Sequence, residues 1–206
     1  MASIDDALTT LARAKNHMDI SGNTKNTVLT AIILGASKFV EKYTRRKFKR
    51  QTYTSEVYDG TGRDKLFLKN YPVQGSVAAQ RRATPLNEDD WETLDTESFF
   101  IYAESGKLVS LVGSWFEGPK NYRFTYEAGY YLPSHANYQD GTDDDQDLPY
   151  DLELAVLDLI SAAYNRRKSG GIQSQSVYQV DLTYAKELSE NPMLKATLDS
   201  FKRVGY

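Results

Sequence analysis

The pattern of apolar and polar positions changes period twice along this chain. Over residues 24–44, Val28, Ile32, Ala36, Phe39, Val40 and Tyr43 recur at α-helical spacing and draw one apolar stripe. Its end carries Arg45, Arg46 and Lys47, which suit the negative end of a helix dipole. A shorter helix is predicted ahead of it. Ser3 is placed to cap a segment through Leu8, Leu11 and Ala12, with Asp5 and Asp6 in the first turn, and Ser21-Gly22-Asn23 breaks the pattern.

From about residue 49 to 131 the period shortens. Residues 51–58 are rich in Thr, Tyr and Val and predict a strand. Asp59-Gly60-Thr61-Gly62 signals a turn, and residues 65–69 predict a second, short strand, so the pair reads as a hairpin with a long loop. Tyr71-Pro72-Val73 ends it, because proline cannot donate to a central ladder. Further strands are predicted at 76–82, 98–103, 107–111 and 121–128. In the last, Tyr122, Phe124 and Tyr126 alternate with Arg123 and Thr125, as a half-buried strand requires.

Residues 133–147 are polar, with Asp143-Asp144-Asp145, and read as an exposed linker. A strong helix follows, with Pro149 in its first turn. Asp151 and Glu153 lie near its start and Arg166, Arg167 and Lys168 near its end, so both ends complement the dipole. Leu152, Ala155, Val156, Leu159, Ile160 and Ala163 form its buried stripe, and Gly170-Gly171 stops it. Residues 172–184 are polar and read as extended. A last helix over 191–203 carries Leu194, Leu198 and Phe201.

The order helices, strands, helices predicts an α+β fold. The N- and C-terminal segments form one α-helical bundle, and the strands are an inserted antiparallel β domain, a small sandwich or barrel. The expected division is 1–48 for the N-terminal helices, 49–132 for the β insertion, 133–148 for an acidic linker and 149–206 for the C-terminal helices and a docking tail. Val28, Ile32, Val40, Val156, Leu159 and Ile160 are expected to share one core, since each helix alone would expose its stripe.

Composition narrows the function. The 206 residues include no cysteine, which excludes disulfides, thiolate zinc sites and cysteine nucleophiles and fits a protein made in a reducing cytoplasm. No run of about eighteen apolar residues predicts a transmembrane helix. Met1-Ala2-Ser3-Ile4-Asp5-Asp6 has no signal-peptide character. The net charge of −3 argues against a general nucleic-acid binder.

Reactive motifs are not found. His17 and His135 are the only histidines, and neither sits in an H-E-x-x-H pattern. Gly60-Thr61-Gly62-Arg63-Asp64-Lys65 lacks the glycine spacing and the Lys-Ser/Thr pair of a phosphate loop. Asp140-Gly141-Thr142-Asp143-Asp144-Asp145 attracts cations but lacks the helix-loop-helix calcium spacing, and no partner is spaced with it for a metal-dependent hydrolase. The basic clusters at Arg45-Arg46-Lys47, Arg81-Arg82 and Arg166-Arg167-Lys168 are candidates for phosphate or inter-subunit contacts, with dipole complementation as the plainer account of two of them. Trp91 and Trp115 either stack on a sugar or pack in a small β core.

One ordered set of segments carries a resemblance. It runs from Ala-Ser-Lys-Phe-Val-Glu-Lys-Tyr-Thr-Arg-Arg-Lys-Phe at 36–48 to Val-Tyr-Asp-Gly-Thr-Gly at 57–62, then Leu-Phe-Leu-Lys-Asn-Tyr-Pro-Val at 66–73 and Tyr-Glu-Ala-Gly-Tyr at 126–130. Leu-Pro-Tyr-Asp-Leu-Glu at 148–153 and Tyr-Asn-Arg-Arg at 164–167 complete it. The set resembles the head-tail connector (adaptor, head-completion) proteins of tailed phages, over about residues 36 to 203. The resemblance implies a helical-bundle protomer in a ring, usually of twelve copies, at the head-tail interface of the virion. Its partners would be copies of itself, the portal protein and the next tail or neck completion protein. DNA would pass through transiently and without specific binding. No enzyme activity, cofactor, metal or membrane is implied. The long β insertion departs from the smallest, nearly all-helical members. Within this picture the C-terminal segment is expected to dock on a neighbour, most of all the portal, through Tyr184, Leu194, Leu198, Phe201, Lys202 and Arg203, with Arg45, Arg46, Arg166 and Arg167 as further contacts. A carbohydrate-binding or adhesive β module is the alternative, suggested by Trp and Tyr in the central strands.

Overall fold

A computed structural model describes residues 4–82, 90–139, 146–169 and 177–203. These form five α-helices and seven β-strands in two units, one of residues 1–49 with 130–206 and the other of residues 50–129. The fold is the expected α+β arrangement with an inserted β unit.

The helical unit contains α1 (Leu11–His17), α2 (Asn26–Thr44), α3 (Tyr150–Ser169), α4 (Val177–Glu190) and α5 (Pro192–Ser200). Ile32, Val40, Val156, Leu159 and Ile160 are buried in one cluster, with Val28 packed against it, so the expected shared core is formed. The buried side of α2 is wider than the sequence stripe, because Leu29 and Ile33 are also fully buried. Both chain segments that connect to the insertion belong to this unit and pair side by side at Lys49 and Tyr130, where the Tyr130 amide donates to the Phe48 carbonyl at 2.7 Å.

Two helix expectations are corrected. The first helix starts at Leu11, and its cap is Thr10, whose hydroxyl accepts from the Arg13 amide at 3.2 Å. Residues 4–6 form only a 3-10 turn, and Ala7, Leu8 and Thr9 run buried ahead of the helix. The described part of the segment read as extended, from Val177 on, is helix α4. It is helical because Tyr184 and Leu188, four residues apart, stand on one side and fill the core. The Gly170-Gly171 stop lies outside the described residues. Asn191 caps α5, its side-chain oxygen accepting from the Leu194 amide at 3.1 Å, and Pro192 stands in the first turn.

The β unit holds a sheet in the order β1-β7-β3-β4 and another in the order β2-β6-β5. The strands are β1 (Gln51–Gly60), β2 (Lys65–Phe67), β3 (Val73–Arg82), β4 (Trp91–Thr93), β5 (Phe99–Tyr102), β6 (Lys107–Ser110) and β7 (Gly118–Ala128). All named pairings are antiparallel. The expected hairpin of β1 with β2 is absent. β1 pairs with β7 and β2 with β6, and the turn at 60–64 carries the chain from one sheet to the other. The Gly62 amide donates to the Trp115 carbonyl at 2.7 Å and the Thr61 hydroxyl to the Lys65 carbonyl at 2.9 Å, so the glycine pair serves turn geometry.

A bulge in β1 shifts its register between Tyr53 and Glu56, with Ser55 at φ 52°. One extra residue reverses the side on which the following positions fall. Glu56 and Tyr58 therefore join Tyr53 on the buried side, while Val57 is exposed.

Candidate interaction surfaces

The two tryptophans are used inside the β unit. Trp115 is buried against Phe99, Tyr122 and Phe124, and its indole N–H donates to the Asp64 carbonyl at 3.1 Å. Trp91 is half-buried, with the guanidinium carbons of Arg82 and Arg123 at 5.3 and 4.4 Å from its ring centre. Neither ring forms the open sugar platform that the alternative reading needs. Arg81 pairs with Glu92 at 2.8 Å.

A polar cluster is built where the bulge turns Glu56 inward. One Glu56 oxygen accepts from the Tyr58 hydroxyl at 2.5 Å and from the Tyr126 hydroxyl at 2.6 Å, and the two hydroxyls lie 2.9 Å apart. The Lys69 amide donates to the Tyr58 oxygen at 2.9 Å. Burial pushes both phenols well above their usual range; the neighbouring Tyr126 adds to the shift at Tyr58, and the Glu56 carboxylate adds to it at Tyr126. The arrangement satisfies buried polar groups and offers no nucleophile.

In the helical unit, the fully buried Glu153 of α3 accepts from Thr9 and from the Arg13 guanidinium. Among the described residues, no three histidine or carboxylate side chains converge as a metal site, and no helix is long and apolar enough to cross a membrane. Asp143, Asp144 and Asp145 lie outside the described residues.

The C-terminal residues expected to dock on a partner divide into two sets. Tyr184, Leu194 and Leu198 are buried in their own bundle, and the Tyr184 hydroxyl donates to the Ile32 carbonyl at 2.9 Å. Phe201 is half-buried, edge-on to Phe48 with ring centres 6.4 Å apart. The amphipathic stripe is thus covered by its own unit, as amphipathic helices ordinarily are. Lys202 and Arg203 are exposed. Lys202 pairs with Asp199 at 2.6 Å, and this ion pair, with the Tyr43 hydroxyl donating to Asp199, holds the carboxyl below its usual range.

The same end of the bundle gathers two of the basic candidates. Arg45 ends α2 in the left-handed region at φ 57° and is exposed. Arg46 is buried, donates to the Phe201 carbonyl at 3.3 Å and lies over the Phe48 ring. It therefore serves the bundle. The Arg203 amide donates to the Thr44 carbonyl at 2.8 Å, so the tail is tied to the end of α2 and Arg45, Lys202 and Arg203 share that end. Arg166 and Arg167 are half-buried near the end of α3.

Sequence reasoning missed a second exposed set. Phe100, Tyr102, Leu111, Val112 and Phe116 of the β unit and Tyr150, Leu154 and Met193 of the helical unit are large apolar residues open to solvent. Their signal is exposure after folding, which depends on strand register.

A family model described as head completion protein matches residues 7–204. No curated protein sequence matches the chain. Three solved structures similar in fold come from gene transfer agent (GTA) particles. A chain from the neck of an empty particle computed with C6 symmetry has a TM-score of 0.52 and 14% identity, covering 100% of this chain and 95% of that one. A chain from the virion of a native particle has 0.54 and 15%, covering 100% and 95%. A chain from the neck of a native particle computed with C12 symmetry has 0.52 and 15%, covering 100% and 94%.

Proposed function

The chain belongs to the head completion protein family, and from that premise we propose that it is a non-enzymatic structural subunit of a virion neck. One copy sits in a ring between the portal and the next neck or tail component. The observation that carries this reading is the extent of the family match, 7–204, which takes in both the bundle and the β unit. Similar chains in necks computed with C6 and C12 symmetry support the ring. The net charge of −3 supports a channel wall that DNA passes without being held, since lysines and arginines bind phosphate by releasing counterions.

The portal-facing surface is the exposed side of the bundle end that carries Arg45, Lys202 and Arg203, with Met193 and Lys195 of α5 beside their own helix's buried face. These side chains are open, whereas Leu194 and Leu198 are spent on the core. A portal ring would hold several copies side by side and raise their effective concentration, so a chain that associates weakly alone can still close a ring there.

The test is genetic. Particles made without this chain should accumulate DNA-filled heads that lack tails or lose DNA, and supplying the chain should restore tailed particles. Normal tailed particles in its absence contradict the proposal.

A further inference from the structure

The sheet β2-β6-β5 buries one face and leaves the other open. Leu66 and Leu108 are buried, and Ile101 packs on the same core. On the other face, Lys65 pairs with Val109 and Val109 with Phe100, while Phe67 pairs with Lys107 and Lys107 with Tyr102. Residues directly opposite in an antiparallel ladder share a face. The outer face is therefore two rows, Lys65-Val109-Phe100 and Phe67-Lys107-Tyr102. Phe100 is 54% exposed and Tyr102 47%, their rings meet edge-on at 5.1 Å, and the Lys107 ammonium lies 3.7 Å from the centre of the Tyr102 ring. Leu111 and Val112 continue beyond β6, at 63% and 79% exposure. Lone exposed apolar residues are ordinary, whereas a contiguous aromatic face marks an interaction surface. Neither Lys65 nor Lys107 is held in an ion pair among the described residues.

Helix α3 presents the opposite character. Tyr150 is 69% exposed and Leu154 38%, and Asp151 and Asp158 are exposed with them. At the α-helical period these four fall within one arc of about 100°. Among the described residues, the ion-pair partner of Asp158 is His17, at 3.3 Å. One patch is aromatic and basic, the other apolar and acidic.

We infer that the outer face of the three-stranded sheet in one copy docks on the Tyr150–Leu154 face of α3 in the next copy, apolar against apolar and lysine against aspartate. The inference rests on the ring reading above and names its interface. A ring needs two different patches that complement each other, because a self-complementary patch closes a dimer and stops. Charge selects the same pairing. Sheet against sheet would oppose lysines and α3 against α3 would oppose aspartates, whereas the cross pairing opposes unlike charges.

Cross-linking tests this directly, because the chain has no cysteine of its own. Phe100→Cys and Leu154→Cys are made singly and together and treated with a short bismaleimide, in the state in which the wild-type chain forms its ring, alone or with portal. Mixing the two single variants should give a cross-linked dimer, each single variant alone should give none, and the double variant should give a ladder of covalent oligomers. Lys107→Glu and Asp158→Lys should each weaken ring formation, and the two together should restore it. Dimers from F100C alone would make the sheet face self-pairing and overturn the inference. A normal wild-type ring with no cross-link in the mixture and no effect of either charge change would leave the ring reading standing and sink this interface. A wild-type chain that forms no ring even with portal would sink both.

Discussion

Arg13 of α1 holds Glu153 of α3 through both carboxylate oxygens, Nε to Oε1 at 2.6 Å and Nη2 to Oε2 at 2.7 Å. Glu153 is fully buried, while 23% of the Arg13 side chain remains accessible. The pair joins helices 140 residues apart in sequence. Removing the arginine leaves a buried carboxylate that, among the described residues, keeps the Thr9 hydroxyl as its donor. Arg13→Ala should therefore cost about 3 kcal/mol, the low end for a broken buried pair because Arg13 is partly solvated. Adding Glu153→Leu should recover much of that loss. Urea unfolding followed by helical circular dichroism measures both.

The two sides of α5 should separate by mutation. Leu198→Ala opens a cavity in the bundle core and should cost about 2–5 kcal/mol in the same unfolding experiment. Lys202→Glu with Arg203→Glu should leave the unfolding midpoint near wild type yet reduce joining to portal-bearing heads, measured by co-sedimentation. A stable Leu198→Ala protein that fails to join would restore the apolar stripe as the docking face.

The Tyr58–Tyr126 pair gives the β unit an alkaline limit. Both phenols are raised on folding, by burial first. The unfolded chain releases these protons at about pH 10 while the folded chain keeps them. Stability is therefore full below that pH and falls as pH rises above it. Urea midpoints for the wild type should drop between about pH 9 and 11, and Tyr58→Phe with Tyr126→Phe should flatten that slope. Other titrating groups contribute equally to both proteins, so the difference in slope is the readout.

Gly60 is required for close approach. A side-chain carbon built there would lie 1.8 Å from the Phe116 carbonyl oxygen. Asn121 fixes the approach, accepting from the Gly60 amide and donating to that carbonyl, each at 2.7 Å. Gly60→Ala should destabilise the β unit by at least about 1–3 kcal/mol, the usual range for overpacking. Near-ultraviolet circular dichroism of the buried Trp115 reports the unit selectively enough to check it.

The helices were legible where apolar residues recur at one helical period, as from Val28 to Tyr43 and from Leu152 to Ala163. Strand existence was legible as well, except for the three-residue β4. Strand partners were not, since β1 pairs with β7, which begins 58 residues after β1 ends, while the sequence favours the nearer β2. The bulge at Ser55 carries no sequence signature, and without it Glu56 would face solvent. In helix α4, Val177, Val180 and Leu182 suggest extension by sequence, while the deciding residues, Tyr184 and Leu188, show their role only once the core exists. Amphipathic spacing alone does not separate a partner's groove from the chain's own bundle, and Leu194 and Leu198 lie in their own bundle. The exposed sheet face needs register, which no local pattern supplies.

The central claim is that this chain works as one copy in a closed ring, and mass tests it most directly. Native mass spectrometry or sedimentation of the purified chain, with and without portal, should show small species alone and, with portal, one complex of fixed stoichiometry matching a closed ring. A chain that stays monomeric in both conditions, or binds portal one to one without neighbours, would contradict the account.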